Sequence, residues 1–214
     1  MGSMHPECPD RLAAINDRLI AAGLDMYISF YDAPVATHEQ ITRAHSQSYL
    51  DELLSSVPEH GIRHLDPDTA MSPGTMKAAL RSAGAGVLAT DMVIAGEIEN
   101  AFCAVRPPGH HAERGKAMGF CFINNVAVAA RHALEVHGLE RVAIVDFDVH
   151  HGNGTADIFS DDPRVMMAGI FQHPFYPYSG ADRQPAHMCN VPLPAGTRGD
   201  GFRQVFSDII VPAL

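Results

Sequence analysis

A run of acidic and imidazole side chains follows an apolar segment in the second half of the chain. Asp146, Asp148 and His150 alternate with apolar residues directly after a buried strand predicted over Val142–Val145. Because successive side chains of an extended strand point to opposite faces, these three are expected to share one face. Two carboxylates and an imidazole there are costly to desolvate without a cation or hydrogen-bond partners. Since imidazole nitrogen and carboxylate oxygen suit zinc, the pattern predicts a divalent metal site, with a solvated polar loop as the alternative.

A second segment whose side chains could take part in chemistry is a loop stiffened by two prolines. It spans Arg106–His111 and ends in the neighbouring histidines His110 and His111. Such a pair is compatible with metal ligands, with acid–base groups or with two surface side chains. The loop alone does not choose among the three.

Two aromatic segments flank these polar ones. Residues 115–125 place Phe120 and Phe122 in a glycine-punctuated loop before a helix, where aromatic side chains are more often core than substrate walls. Residues 172–177 follow the next predicted strand and offer further aromatic side chains near the same edge. Both segments are therefore candidates for the surroundings of the polar site.

Alternating helical and buried-strand patterns predict the fold that positions these residues. Helices are expected over Asp10–Ala22 (with Asp10 as N-cap), over 38–57 with a break near His45–Ser48, over Thr75–Ala95 and over Asn124–His137; strands are expected over Ala101–Val105, Val142–Val145 and Val165–Phe171. Such alternation indicates an α/β domain around a mainly parallel sheet. In these sheets ligands bind beyond the carboxyl ends of the strands, which is where the polar residues stand.

Composition narrows the class of protein. The chain has 214 residues, a length typical of one domain, and we find no repeat or linker in it. Its net charge of −10 disfavours direct binding to nucleic acid and suits a cationic substrate. No apolar run is long enough to span a membrane. The four cysteines lack paired spacing, so reduced thiols in a cytoplasmic protein are expected.

Taken together, the sequence resembles the histone deacetylase and acetylpolyamine amidohydrolase family, on its class II-like side. The matching stretches occur in the family's order and comprise residues 5–12, 106–111, 119–125, 146–155 and 175–180. The resemblance implies the arginase–deacetylase fold, a three-layer αβα domain with a mainly parallel sheet. It implies a zinc-dependent hydrolase that cleaves acetyl groups from lysine side chains or other acylated amines.

The resemblance also implies roles for individual residues. Asp148 and His150 are similar to two of the three protein ligands of zinc. Asp146 resembles the carboxylate that hydrogen-bonds His110. His110 would then stabilise the transition state, and Asp146 and Asp148 would also help to hold a structural potassium ion.

Four further roles come from the same resemblance. His111 is similar to the general acid–base residue, and Asn153 stands where its hydrogen-bond partner is expected. Gly119 and Phe120, with Tyr176 opposite, resemble the walls of a narrow tunnel for the acylated amine. The implied partners are an acetylated protein or a small acylated amine, and a homo-oligomer is left open.

Two family motifs are missing from this sequence. They carry the third zinc ligand, an aspartate, and an oxyanion-stabilising tyrosine. We therefore expect residues 1–214 to be a single deacetylase-like domain that lacks its C-terminal part, and the isolated chain to bind zinc weakly and turn over slowly. Asp182, His187 and Asp200 are alternative third ligands without a matching context.

Two other functions are alternatives to this one. The first is a truncated, non-catalytic module that binds an acylated amine without hydrolysing it. The second is an arginase-like manganese hydrolase, which is disfavoured because Val149 and His151, and not further aspartates, flank His150. The physiological substrate is left open.

Overall fold

The computed structural model describes residues 5–182 and 184–214 of the chain. Its helices are α1 Asp10–Ala21, α2 His38–Thr42, α3 Gln47–Ser55, α4 Thr75–Ile94, α5 Asn125–Glu135, α6 Asn153–Phe159, α7 Gly199–Val205 and α8 Val211–Ala213. A 3₁₀ turn covers Leu24–Met26, and a π-helical turn over Phe206–Ile210 joins α7 to α8. No helix in the described ranges is both long and apolar enough to cross a bilayer.

A parallel three-stranded sheet organises the second half of the chain. Its strands are β3 Val142–Asp146, β4 Val165–Gln172 and β5 Met188–Leu193, in the order β3-β4-β5. Asp146 pairs with Gly169 and Gln172 pairs with Leu193, so the carboxyl ends of all three strands meet at one edge. The short strands β1 Arg63–His64 and β2 Ala70–Met71 form a separate antiparallel pair.

Apolar side chains cover both faces of this sheet. The larger cluster includes Val165 of β4 together with residues of α4, α5 and α6. The smaller cluster lies on the other face, where Ala168 and Ile170 pack against Ile210 of the π-helical turn. Residues one position apart on β4 thus face opposite helical layers, as the period of a strand requires. The predicted α/β architecture with helices on both faces of a parallel sheet is confirmed.

Most predicted elements form, with small shifts at their ends. The expected break in the segment 38–57 is the turn before α3, where the Ser46 hydroxyl accepts a hydrogen bond from the Tyr49 amide. Asn124 caps α5 by accepting from the Ala127 amide. Strand Val165–Phe171 corresponds to β4 and is buried along almost its whole length.

Three local predictions are wrong. Residues 101–105 form no strand, because no neighbouring strand among the described residues supplies ladder hydrogen bonds. Most of these residues are exposed. The strand predicted to be buried over Val142–Val145 forms as part of β3, but only Ile144 in it is buried. Asp10 is the first residue of α1 and not its N-cap, because that position belongs to Pro9, which offers no side-chain acceptor.

Candidate active site

The end of β3 turns sharply and gathers three polar side chains. The Asp146 Oδ1 accepts a hydrogen bond from the Asp148 amide at 3.1 Å, and the Asp148 Oδ1 accepts one from the His150 amide at 2.8 Å. These side-chain to backbone bonds fold residues 146–150 into two consecutive turns. The extended strand predicted over these residues is wrong, because β3 ends at Asp146. The turns nevertheless bring the three side chains together.

Asp148 and His150 present their donor atoms to one point. The Asp148 Oδ1 lies 2.9 Å from the His150 Nδ1. Burial alone would raise the pKa of Asp148, but the His150 amide and the charge of His110 hold it below its usual value, so the carboxylate is ionised. One carboxylate oxygen beside one imidazole nitrogen is a donor set that zinc accepts. These two residues therefore fit a zinc ion.

His110 is tied to the end of the strand. Its Nδ1 donates to the Asp146 Oδ2 at 2.9 Å, and its Nε2 lies 4.0 Å from the Asp148 Oδ1. Burial would lower the pKa of His110, but the hydrogen bond and charge of Asp146, with the charge of Asp148, raise it above its ordinary value. This imidazole is therefore biased toward the positive form.

His111 is biased in the opposite direction. Its Nδ1 lies 2.8 Å from the Asn153 Oδ1, and the Asn153 Nδ2 donates to the Glu113 Oε1 at 2.8 Å. Glu113 thereby orients the amide so that its oxygen faces His111. His111 must then carry its proton on Nδ1, which leaves Nε2 free to accept one. Burial and the charge of His110 lower the pKa of His111 to about 4.

The two imidazoles form a polarised pair. Their ring centroids are 4.0 Å apart, yet one has a carboxyl group as its partner and the other a side-chain amide. Neighbouring groups whose environments push their pKa values apart are suited to separate acid–base and electrostatic roles. The sequence alone left the pair open between three interpretations, and this geometry favours the acid–base one.

Buried contacts hold the histidine loop in place. The Glu7 carboxylate, only 5% exposed, accepts from Arg106 through Nε at 3.0 Å and Nη2 at 2.6 Å. On the other side, a β-carbon added at Gly154 would lie 2.6 Å from the His111 carbonyl carbon. The start of α6 therefore packs directly against the loop, and glycine is required there.

Gly119 and Phe120 form a left-handed turn, with φ of 57° and 69°, and Gly119 lies against His111. The Gly119 amide donates to the Asp68 Oδ1 and the Phe120 amide to the Thr69 Oγ1, each at 3.1 Å. A β-carbon at Gly119 would lie 2.7 Å from the His111 Cγ. Hydrogen bonds from the turn before β2 thus hold this segment close to the imidazole.

Aromatic residues after β4 complete the surroundings. The Tyr176 ring meets His111 edge-on, with ring centroids 5.2 Å apart. Phe175 stacks on His150, with centroids 5.1 Å apart and an interplanar angle of 10°. Phe122, in contrast, is fully buried in the core, as the sequence suggested.

Residues considered as alternative third ligands are engaged elsewhere or exposed. The His187 Nε2 contacts the Phe159 carbonyl at 2.9 Å, and Asp200 pairs with Arg203. Asp182 is exposed. None of them contacts Asp148 or His150 within the described ranges.

Three residues around the site were not predicted from the sequence: Asp68, Glu113 and Phe175. Each acts across a long sequence separation, on Gly119, Asn153 and His150 respectively. Phe175 lay in a segment that the sequence did single out, whereas Asp68 and Glu113 carried no signal beyond being acidic. Their contacts become visible only in three dimensions.

Comparison with known proteins shows the family to which the chain belongs. A model of the histone deacetylase domain matches residues 5–214. The histone deacetylase-like amidohydrolase of Pseudomonas aeruginosa is 39% identical over 217 residues, covering 98% of this chain and 57% of the relative. The polyamine deacetylase HDAC10 of Rattus norvegicus is 39% identical over 187 residues, covering 82% of this chain and 32% of the relative.

A solved structure shares the fold. The crystal structure of the HDA15 HD domain superposes with a TM-score of 0.91 at 33% identity, covering 99% of this chain and 63% of that one. The chain spans 57% to 71% of the length of the first three curated relatives that it matches. The chain therefore belongs to the histone deacetylase family of amidohydrolases and has the arginase–deacetylase fold.

Proposed function

We propose that this chain carries the catalytic centre of a zinc-dependent deacetylase that hydrolyses acylated amines. The observation that carries the proposal is the convergence of Asp148 and His150 beside two histidines with opposite electrostatic bias. A bound zinc ion would lower the pKa of water toward about 7 and polarise the amide carbonyl.

The histidine pair supports the proton transfers of such a reaction. His111, neutral and with Nε2 free, accepts the proton of the attacking water and later delivers it to the leaving amine. His110, held toward the positive form by Asp146, stabilises the negative charge that develops on the carbonyl oxygen. Asn153 keeps His111 in the tautomer that this role needs.

The surrounding residues favour a substrate with an elongated aliphatic chain. We assign Gly119, Phe120 and Tyr176 to the walls of the substrate tunnel, since Gly119 and Tyr176 lie against His111 and Phe120 follows in the same turn. The aliphatic chain of an acetyl-lysine or acetylpolyamine fits beside aromatic and glycine surfaces. The net charge of −10 favours the approach of an acetylpolyamine, whose remaining amines are cationic, whereas the acetylated side chain of lysine is neutral.

The number of zinc ligands limits the activity expected of these residues alone. A catalytic zinc takes three protein ligands, and the described ranges bring two to the site. We therefore expect weak zinc binding and slow turnover from the 214-residue polypeptide. The same observation favours the second candidate function, a module that binds an acylated amine without hydrolysing it.

Measuring binding and hydrolysis on one sample separates the candidates. Binding of an acetyl-lysine peptide and of an acetylated polyamine is followed by calorimetry with and without zinc, and released acetate is quantified in parallel. Zinc-dependent acetate release that disappears in His111→Ala supports the deacetylase. Binding without acetate release supports the binding module, and absence of both contradicts each proposal.

Other expectations stay predictions. The treatment of residues 1–214 as a single domain, the cytoplasmic location and a homo-oligomer are of this kind. The potassium ion gains no support from the described residues and is not part of the proposal. The family relationship leaves open whether the substrate is a protein or a small amine.

A further inference from the structure

A second cluster of ligand-type side chains lies between α4 and α5, separate from the site described above. Asp91 stands near the end of α4, His132 in the last turn of α5 and His137 in the loop that follows. The Asp91 Oδ1 lies 2.7 Å from the His132 Nε2 and 2.6 Å from the His137 Nε2. A carboxylate oxygen and two imidazole nitrogens therefore converge within 4.8 Å of one another.

This cluster is distant from the histidine pair. The N-terminus of α5 packs against the loop before His110, where a β-carbon at Gly109 would touch the Asn125 amide. His132 lies seven residues further along the helix, which is roughly 10 Å at 1.5 Å per residue. The cluster thus sits at the end of α5 that points away from the catalytic loop.

We propose that Asp91, His132 and His137 form a second metal site, which takes a divalent transition-metal ion of the zinc type. Two imidazoles and one carboxylate are donors that zinc accepts, and water would fill the remaining position. The site is partly buried and open to solvent on one side: the His132 side chain is 6% exposed, His137 is 23% exposed and Asp91 is 46% exposed. The ion would link the ends of two packed helices and have access to solvent through Asp91.

A neighbouring arginine sets the cost of binding. The Arg43 Nη1 donates to the His132 Nδ1 at 3.0 Å, so without an ion the imidazole proton is on Nε2. Binding requires this proton to move to Nδ1 and frees Nε2 to ligate. Arg43 then loses one hydrogen bond but keeps its 2.7 Å pair with Glu39. Removal of Arg43 is therefore expected to tighten ion binding.

The test uses a chain in which the proposed catalytic ligands are removed. The double variant Asp148→Ala/His150→Ala is titrated with zinc by equilibrium dialysis and metal analysis, and with cobalt by visible absorption. We expect one equivalent to bind. Adding His137→Ala should weaken binding by more than the roughly 10- to 100-fold that loss of an outer hydrogen-bond partner costs.

Matched variants keep the test independent of folding and of the proposed function. His64→Ala, which removes an exposed histidine of β1, should leave binding unchanged, and Arg43→Ala should increase affinity severalfold. Asp91→Asn preserves the shape of the carboxylate and should weaken binding as His137→Ala does. If the double variant binds no zinc, or binds it equally well without His137, the cluster is only a hydrogen-bonded clasp. Neither result depends on deacetylase activity.

Discussion

Replacing Gly119 by alanine probes how tightly the proposed tunnel segment is fitted to the His111 imidazole. The added β-carbon would lie 2.7 Å from the Cγ and 2.9 Å from the Cβ of His111. Carbon atoms pack at about 3.5 Å or more, so the ring or the turn must move by about 1 Å. The backbone at φ 57° adds about 1–2 kcal/mol of strain for a residue with a side chain.

The steric clash with His111 and the backbone strain should affect both the stability of the protein and the rate of acetate release. Strain plus overpacking of about 1–3 kcal/mol should lower the free energy of unfolding by roughly 2–5 kcal/mol. A displacement of about 1 Å of a reacting group can cost about 100-fold in rate. Urea denaturation measures the first effect, and acetate release from an acetylated peptide measures the second. Imidazole resonances of ¹⁵N-labelled histidine report the position of His111 directly.

Gly96 offers a matched control. It also has a positive φ, 71°, but a β-carbon there meets nothing within 4 Å. Gly96→Ala should therefore cost only the strain of about 1–2 kcal/mol and leave the rate and the His111 resonances unchanged. If the two variants lose the same stability and the same activity, the close fit between Gly119 and His111 is refuted.

Three further predictions concern His111, the stability of the protein at acidic pH and the start of α6. His111→Ala should lower acetate release by roughly 10²- to 10⁴-fold while its urea midpoint shows that the fold persists; unchanged release would remove His111 from the mechanism. Burial lowers the pKa of His45 to about 4, so the unfolded chain binds a proton that the folded chain rejects, and His45 alone should lower the free energy of unfolding by about 3 kcal/mol between pH 6.5 and pH 4. Urea denaturation at several pH values across that range measures this loss, which should be smaller by a comparable amount in His45→Gln. If the free energy of unfolding depends on pH equally in the variant and the parent protein, the lowered pKa of His45 is contradicted. Gly154→Ala, whose β-carbon meets the backbone of the histidine loop, should lose more stability than Gly115→Ala, where nothing lies within 4 Å, as thermal melting would show.

The strand pattern and the polar strand ends could be predicted because they depend on local periodicity. Val165–Gln172 alternates between two helical layers, and its burial matches the apolar run that the sequence shows. The grouping of Asp146, Asp148 and His150 was also predicted, but for the wrong reason. The alternation of a strand was assumed, whereas hydrogen bonds from two carboxylates to backbone amides produce the turns.

Contacts between residues distant in the sequence could not be predicted in this way. Glu113 orients Asn153 across 40 residues, and Asp68 holds Gly119 across 51 residues. The predicted strand over 101–105 failed for a related reason, because a strand needs a neighbour and an apolar pentapeptide does not reveal whether one is present. Charge and hydropathy patterns report the faces of an element, and they contain no information on which elements meet.

The most direct test of the central claim is anomalous diffraction at the zinc edge from crystals of the chain grown with zinc. We expect a peak about 2.0–2.2 Å from both the Asp148 Oδ1 and the His150 Nδ1, with His110 and His111 facing it. If the side chains of Asp148 and His150 diverge and no zinc peak lies between them, with the histidine pair turned away from both, the account is contradicted.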